Sequence, residues 1–224
     1  MIKNIIRVTR EILALTVIAS LFLAVLIPVL EPQLANAVED QFTVTQSVTG
    51  EISFLTPAAD VTLPSIPGLT GGTSLGQTQV VVTTNDSSGY TMTIKASSSP
   101  AMQGNTQGGN IPDYTSASAS IPDFAYSVPT GAEMGYTISA STTADLAQKF
   151  LDNGSACNTG AADTTGSTSC WYGLSTTATT TNVRATATPA SGATTTIFFQ
   201  LKINAGSVVE DTYTATTTLT ATAN

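Results

Sequence analysis

Short segments in which apolar and polar residues alternate recur along most of the chain, and this period of two is the strongest constraint on its fold. Helical periodicity is almost absent. The best candidate, residues 143–151, is long enough for one or two turns and is followed by Asn153-Gly154, a typical helix terminator. About ten short strands with turn residues between them are typical of one antiparallel domain. We therefore expect an all-β fold, a single antiparallel β-sandwich or jelly roll.

The predicted strands are residues 41–49, 51–55, 61–66, 79–84, 90–96, 124–128, 136–141, 170–174, 182–188, 194–203 and 213–221. Proline interrupts residues 61–66, which suits an edge strand. In residues 182–188 the apolar members of the alternation begin at Val183. Asn85 to Gly89 are all turn-forming residues, so residues 79–84 and 90–96 are expected to form a β-hairpin.

One long connection separates these strands. Residues 97–123 are of low complexity, rich in serine and glycine, and contain the tripeptide Ile-Pro-Asp twice. Long loops without secondary structure in a compact domain are usually mobile or functional. We expect a long flexible loop here, and a binding function is one interpretation of it.

Residues 1–37 have the pattern of a secretory signal peptide. Three basic residues precede an apolar run from Ile12 to Leu30, and Ala35-Asn36-Ala37 is a suitable cleavage site. Cleavage between Ala37 and Val38 would leave residues 38–224 as the β-sandwich domain. The alternative is an uncleaved anchor, because the apolar run is long enough to cross a bilayer of roughly 30 Å. In either case we expect a secreted or cell-surface protein that meets the membrane only through this segment.

The charge balance excludes several functions. The chain has 7 basic and 15 acidic residues, no histidine and a net charge of −8. A Ser-His-Asp triad, a Cys-His dyad and histidine-ligated metals are excluded, and nucleic-acid binding is disfavoured. Charged residues make up 10% of the chain, whereas about 25% is typical. The 41 threonines and 22 serines explain how strands could remain solvated, since threonine fits a pleated sheet with its hydroxyl in water.

The two cysteines, Cys157 and Cys170, lie in a stretch rich in glycine, serine and threonine. In an exported protein a structural disulfide is the natural interpretation, and closing such a loop would contribute about 3 kcal/mol. Two free buried thiols are the alternative. No histidine or further cysteine completes a zinc site, and the redox motif C-x-x-C is absent.

Carboxylates are the remaining groups for acid–base or metal chemistry. A glycoside hydrolase needs two of them across the sugar, and Asp145, Glu210 and Asp211 are available besides the loop aspartates. Aspartates beside proline and glycine are more often turn formers. Calcium is a modest alternative, with Asp113, Asp123 and Asp152 as its candidate ligands. No cofactor is otherwise expected.

Aromatic residues offer a possible binding face. Trp171 follows Cys170 directly, and Tyr172 and Tyr114 are the other candidate members. The competing interpretation places the tryptophan in a sandwich core, packed against the disulfide.

Two segments, Thr84-Asn85-Asp86-Ser87-Ser88-Gly89-Tyr90-Thr91-Met92-Thr93-Ile94 and Thr212-Tyr213-Thr214-Ala215-Thr216-Thr217-Thr218-Leu219, resemble those of secreted, threonine-rich bacterial surface β-sandwich proteins, distantly similar to proteins with WxL domains. WxL domains carry paired W-x-L motifs, whereas here the only tryptophan, Trp171, precedes Tyr172-Gly173-Leu174. The resemblance implies an extracytoplasmic surface protein that is not an enzyme.

The first predicted strand, residues 41–49, alternates Phe42, Val44 and Val48 with threonine and serine. Such a segment can pair within its own sheet or add to the open edge of a neighbour. We therefore expect a non-enzymatic structural protein of the cell surface that self-assembles through this strand, with copies of itself or other surface components as partners. An adhesin or carbohydrate-binding module that uses residues 97–123 is the alternative, and a glycoside hydrolase a remote one.

Overall fold

The computed structural model describes residues 41–163 and 168–224, together with Leu13, Ala14, Thr16, Val17, Ser20 and Leu21. The chain divides into two units, Met1–Ser47 and Val48–Asn224. In the first unit the six isolated positions are helical, and residues 41–47 have no regular secondary structure. The predicted signal peptide and its cleavage site at Ala37 and Val38 lie outside the described residues, apart from those six positions. In the described part of the chain, no helix is long and apolar enough to cross a membrane.

The second unit is an all-β, sandwich-like fold, as the alternation predicts. Its strands are β1 (Ile52–Thr56), β2 (Gly72–Thr84), β3 (Tyr90–Ala96), β4 (Met102–Gly104), β5 (Asn110–Ile111), β6 (Ala132–Ala140), β7 (Tyr172–Gly173), β8 (Thr179–Arg184), β9 (Ala193–Ile203), β10 (Tyr213–Ala215) and β11 (Thr217–Ala223). Every strand pair is antiparallel. Two 3-10 helices, Thr143–Asp145 and Gln148–Phe150, form the short helical region predicted at residues 143–151.

The sheets follow a simple order. One has five strands in the order β1-β2-β9-β6-β7, and two have three strands each, β11-β3-β8 and β10-β4-β5. Only Thr216 separates β10 from β11, and β3 is followed closely by β4. The two small sheets are therefore formed largely by the same two stretches of chain.

Burial alternates along the central strands as a half-buried sheet requires. In β9 every second residue from Ala193 to Ile203 is buried, including Ile197, Phe199 and Leu201. These side chains share the main core with Ile94 of β3. Residues 61–66 form no strand, because this stretch is broken by Pro64, which lacks the N–H needed for a ladder. Its apolar side chains Val61, Leu63 and Ile66 nevertheless pack against the main core.

The predicted β-hairpin is wrong. β2 pairs with β1 and β9, whereas β3 pairs with β11 and β8, so the two strands lie in different sheets. Residues 85–89, which we call the arch, carry the chain from one sheet to the other. A second core cluster forms beside it, in which Val80 and Val82 of β2 pack with Tyr90 and Met92 of β3. These four side chains are completely buried, which a two-stranded hairpin with one solvated face would not achieve.

Three other predictions are corrected. Residues 41–49 and 124–128 form no strands. Residues 97–123 are not structureless, since they contain β4 and β5. In β8 the alternation has the opposite phase to the predicted one: Thr181 and Asn182 are buried and Val183 is exposed. The cause is a bulge, because Met92 pairs with Asn182 while the next residue, Thr93, pairs with Thr180.

The arch requires glycine at position 89. Gly89 has φ +78°, and a Cβ there would collide with the Arg184 carbonyl group. Gly131 has a similar φ of +73° but open space around the missing Cβ. We expect Gly131→Ala to cost about 1–2 kcal/mol through the backbone conformation alone. Gly89→Ala should cost clearly more, as measured by urea unfolding of both variants. Equal costs would show that the close approach at the arch contributes nothing.

Candidate functional site

The disulfide predicted between Cys157 and Cys170 is present, with a Cα–Cα distance of 5.5 Å. Both residues are buried and belong to the main core. Asp152 organises the enclosed segment: it is fully buried, its N–H donates to the Ala162 carbonyl at 2.7 Å, and its Oδ1 accepts from the Gly154 N–H at 2.7 Å. The cross-link therefore ties the segment around Asp152 and Cys157 to Cys170, two residues before β7.

Asp113 and Asp123, the other two aspartates predicted as calcium ligands, also accept hydrogen bonds from the backbone. Asp113 accepts from the Ala101 N–H at 3.0 Å, and Asp123 accepts from the Tyr114 hydroxyl at 2.7 Å and from the Ala117 N–H. Burial raises the pKa of Asp113, against the opposing effect of its backbone hydrogen bond. Among the described residues, no group of three or more acidic or cysteine side chains is placed to hold a metal ion.

Asp211 binds loop backbone in the same manner. Its carboxylate accepts from the N–H groups of Gln107 and Thr106, and these hydrogen bonds lower its pKa. The loop aspartates thus act in this fold as turn and loop organisers.

The aromatic residues proposed as a binding face lie mostly inside the protein. Trp171 and Tyr114 are 2% and 4% exposed and form a small core with Val128, separate from the cluster that contains the disulfide. Tyr126 stacks on Tyr114 at 4.6 Å between ring centroids and meets Trp171 edge-on at 5.1 Å. This aromatic core lies on β6, where a Cβ at Gly135 would press against both tyrosines.

Tyr172, the third candidate, is half-buried, and the Lys149 ammonium lies 4.5 Å from its ring centroid. That cation covers a ring face on which a sugar could otherwise stack. A groove of about 610 Å³ remains beside the aromatic core, and Tyr126, Phe198, Leu75 and Gln200 are among its lining residues. It is the part of the predicted binding face that a ligand could reach.

A buried ion pair that no sequence pattern predicted lies next to the arch. The Arg184 guanidinium donates to Asp145 Oδ2 at 2.6 Å, and both side chains are almost completely buried. Arg184 also donates to the carbonyls of Thr186 and Ala187, so its charge is well satisfied. The pair affects Tyr90, whose pKa is raised to about 12: burial is the main cause, Asp145 adds to the rise and Arg184 opposes it.

Threonine has a second role that the sequence interpretation missed. Several threonines are buried, and their hydroxyls donate to backbone carbonyls: Thr137 to Ser169 at 2.6 Å, Thr181 to Met92 at 3.1 Å and Thr84 to Glu51 at 2.7 Å. Thr137 joins β6 to a segment outside its sheet, whereas Thr181 and Thr84 bond within or at the end of the ladders that pair β8 with β3 and β2 with β1. Threonine therefore fixes the interior of this fold as well as solvating its surface.

One side of the sandwich is open. β1 and β11 are edge strands of opposing sheets, and within residues 48–163 and 168–224 no strand pairs with the outer edge of either one. Four apolar side chains point into the second core cluster from these edges and remain half-buried: Ile52 and Phe54 of β1, and Leu219 and Ala221 of β11. We call these two edges and four side chains the open side.

The opposite edges are covered. Beyond β8, the Ala147 N–H donates to the Thr181 carbonyl at 2.8 Å, and Leu146 forms a bridge with Asn182. Beyond β7, Asp123 and Trp171 exchange two backbone hydrogen bonds of 2.8 and 2.9 Å. Covering of this kind is how proteins protect sheet edges from further pairing, and the open side lacks it.

The chain enters β1 through a clamp made by Asn85. Its Nδ2 donates to the Thr49 carbonyl at 3.0 Å, and its Oδ1 accepts from the Glu51 N–H at 2.6 Å. Just before this clamp are Phe42, Val44 and Val48, which are 84%, 82% and 82% exposed. Three large apolar side chains with this exposure within seven residues, all at even-numbered positions, are unusual on a protein surface that contacts only water.

Comparison with known proteins yields no relative: no protein-family profile matches the chain, and no curated protein is significantly similar to it. The fold and the cross-link define its class, an all-β, sandwich-like protein with one disulfide in the described residues.

The disulfide should contribute measurably to stability. Replacing both cysteines, Cys157→Ser with Cys170→Ser, should lower the free energy of unfolding by about 3 kcal/mol, because the unfolded chain regains the entropy of an open loop. Urea unfolding measures the change. Reduced and non-reduced wild-type protein should differ by two hydrogens in mass. An unchanged midpoint in the double variant would show that the cross-link is energetically silent.

Stability should fall in alkali. Burial raises the pKa of Tyr90 to about 12 and also raises those of Tyr114, Tyr126 and Tyr136. Tyrosines in the unfolded chain ionise near pH 10. The stability that these four buried tyrosines contribute is therefore fully present below about pH 10 and is lost as the pH rises toward 12. Urea unfolding across this range should show the fall, and Tyr90→Phe should make it smaller. Ionisation of all six tyrosines near pH 10 in the folded protein, seen as tyrosinate absorbance, would contradict this.

Proposed function

We propose that this chain is an exported structural protein of the cell surface, without enzymatic activity, that assembles with copies of itself through residues 41–48. The observation that carries the proposal is the exposure of Phe42, Val44 and Val48 directly before the sandwich. Exposed phenylalanine and valine side chains contribute nothing to the solvation of a surface that is covered largely by hydroxyls. Burial against another molecule would remove this apolar area from water.

Export is supported by two features. The disulfide is compatible with an oxidising compartment outside the cytoplasm. The segments that resemble WxL-type surface proteins, residues 84–94 and 212–219, include the first five residues of β3, all of β10 and the first three residues of β11, and β3 pairs with β11 in the fold. The basic and apolar pattern of residues 1–37 remains the sequence basis for a secretory signal.

A structural role is supported by how the carboxylates are used. Asp113, Asp123, Asp152 and Asp211 each accept hydrogen bonds from loop backbone or a buried hydroxyl. A glycoside hydrolase needs one carboxyl to protonate the leaving oxygen and another to act on the sugar. The four loop aspartates serve the fold instead, so no observation here favours that activity.

An extracellular adhesin or carbohydrate-binding module is the second candidate. The groove lined by Tyr126, Phe198 and Gln200 favours it, since aromatic rings with neighbouring amides are suited to sugar rings. This groove is formed by the sandwich and the aromatic core, whereas the sequence interpretation placed binding in residues 97–123. Binding of wild type to a glycan array, lost in Phe198→Ala, would favour the module over the structural protein.

Deleting residues 41–47 tests the proposal, because Ser47 is the last residue before the second unit. We expect purified wild-type protein to form polymers visible by negative-stain electron microscopy and the deletion variant to remain monomeric. A matched control replaces the alternating threonines, Thr43→Ser and Thr45→Ser, and should assemble normally. Polymers that persist in the deletion variant, or a wild type that stays monomeric at high concentration, would refute assembly through this segment.

A further inference from the structure

We propose that residues 41–48 of one copy add as a strand to the open side of the next copy, where they pair with the outer edge of β11. This inference rests on the proposed function and identifies its receiving surface. The contact joins two different surfaces, a segment and an edge, so each added copy presents a fresh edge. Repetition of one such contact gives an open filament.

The receiving edge has the chemistry of strand addition. An edge strand presents unpaired N–H and C=O groups, and a visiting strand gains a row of main-chain hydrogen bonds there. On β11, Thr218 and Thr220 are exposed, whereas Leu219 and Ala221 are half-buried toward the second core cluster. A strand beside β11 would place its own inward side chains next to that pair and over Ile52 and Phe54.

The visiting segment fits this edge in period, length and charge. Phe42, Val44, Gln46 and Val48 share the parity that one face of a strand requires, and three of these four side chains are apolar. Residues 41–48 would extend over roughly 27 Å, slightly longer than the seven-residue β11. Neither 41–48 nor 217–223 contains a charged residue, so no charge repulsion or charge burial opposes the pairing.

The Asn85 clamp favours addition of residues 41–48 to a second copy over addition to the sandwich of their own chain. Its side-chain amide makes two hydrogen bonds to the backbone around Gly50, of the type that a neighbouring strand would make. Thr49 to Glu51 are therefore held at the entry to β1. Pairing with the outer edge of β11 in its own molecule would require residues 41–48 to reverse direction next to this clamp, where Thr49 and Glu51 are held. Addition to another molecule requires no such reversal.

A cysteine cross-linking experiment tests the site. The donor protein carries Val44→Cys together with Ala221→Lys, which places a charge on its own receiving edge. The acceptor protein carries Phe42→Asn and Val44→Asn, so that it cannot donate, and one new cysteine. That cysteine is introduced at Leu219→Cys, Ala221→Cys or Ala223→Cys in separate proteins, because the register along β11 is free. The control acceptor has Val183→Cys on the covered edge β8, where exposure is also substantial.

After both proteins are mixed and mildly oxidised, non-reducing gels should show a donor–acceptor dimer for at least one β11 position, about tenfold above the β8 control, since disulfides require close Cβ atoms. Equal yields at β11 and β8 would overturn the inference. A single chain with both Val44→Cys and Ala221→Cys that cross-links only within itself would do so as well.

The two proposals fail differently. If assembly depends on residues 41–47 but no β11 position cross-links above the control, the receiving surface is wrong and the proposed function stands. If wild type does not assemble at all, both are wrong. A further pair keeps the test independent of folding: Ala221→Lys should abolish polymers, and Thr220→Lys, one position away on the solvent face, should reduce them much less. Circular dichroism should be the same for both.

Discussion

Packing between β2 and β3 governs the architecture of the second unit. The two strands are consecutive in the chain, but the arch places them in opposing sheets, where Val80 and Val82 meet Tyr90 and Met92. Each of the two strands then pairs with an edge strand of its own sheet: β1 lies beside β2, and β11 lies beside β3. The two uncovered edges therefore border the same interior cluster, and the open side is a direct consequence of the arch.

In this fold, hydroxyls and side-chain amides supply hydrogen bonds to buried polar groups more than charged side chains do. Buried Thr137 bonds to a carbonyl of an irregular segment, Thr181 bonds to a carbonyl of β3 beside the bulge, and Asn85 bonds to the backbone before β1. Neutral groups of this kind incur a much smaller desolvation cost than ions do. Arg184 and Asp145 are the exception, and their pairing at 2.6 Å with added carbonyl acceptors is what makes that burial tolerable.

Two strands of the sheets were predicted almost to the residue. Residues 90–96 form β3 without error, and residues 194–203 differ from β9 by one position. Pairing between strands was harder to predict. The five turn residues between β2 and β3 are compatible with an arch as well as with a hairpin. The chain forms an arch when the buried faces of the two strands are directed toward each other. The burial pattern of β8 was predicted with the wrong phase for a similar reason. A bulge is determined by the partner strand, and no residue pattern within the strand itself indicates it.

Site predictions succeeded where covalent chemistry constrained them, as with Cys157 and Cys170. They were less informative for Trp171 and Tyr114, because composition indicates an aromatic cluster but not whether a loop covers it. The covering became apparent only from the Asp123 hydrogen bonds, which connect residues far apart in sequence.

Charge and edge chemistry act at different distances in the proposed assembly. A net charge of −8 makes copies repel one another at long range, and salt at physiological strength screens that repulsion beyond about 8 Å. The contact itself involves only uncharged residues, so short-range pairing and apolar burial face little electrostatic opposition once two copies meet. Natural edge strands usually prevent such pairing with an inward lysine, a proline or a covering loop. β11 has none of these within residues 217–223, although β8 in the same sheet is covered, and this asymmetry is the strongest reason to regard the open side as a surface that another strand completes.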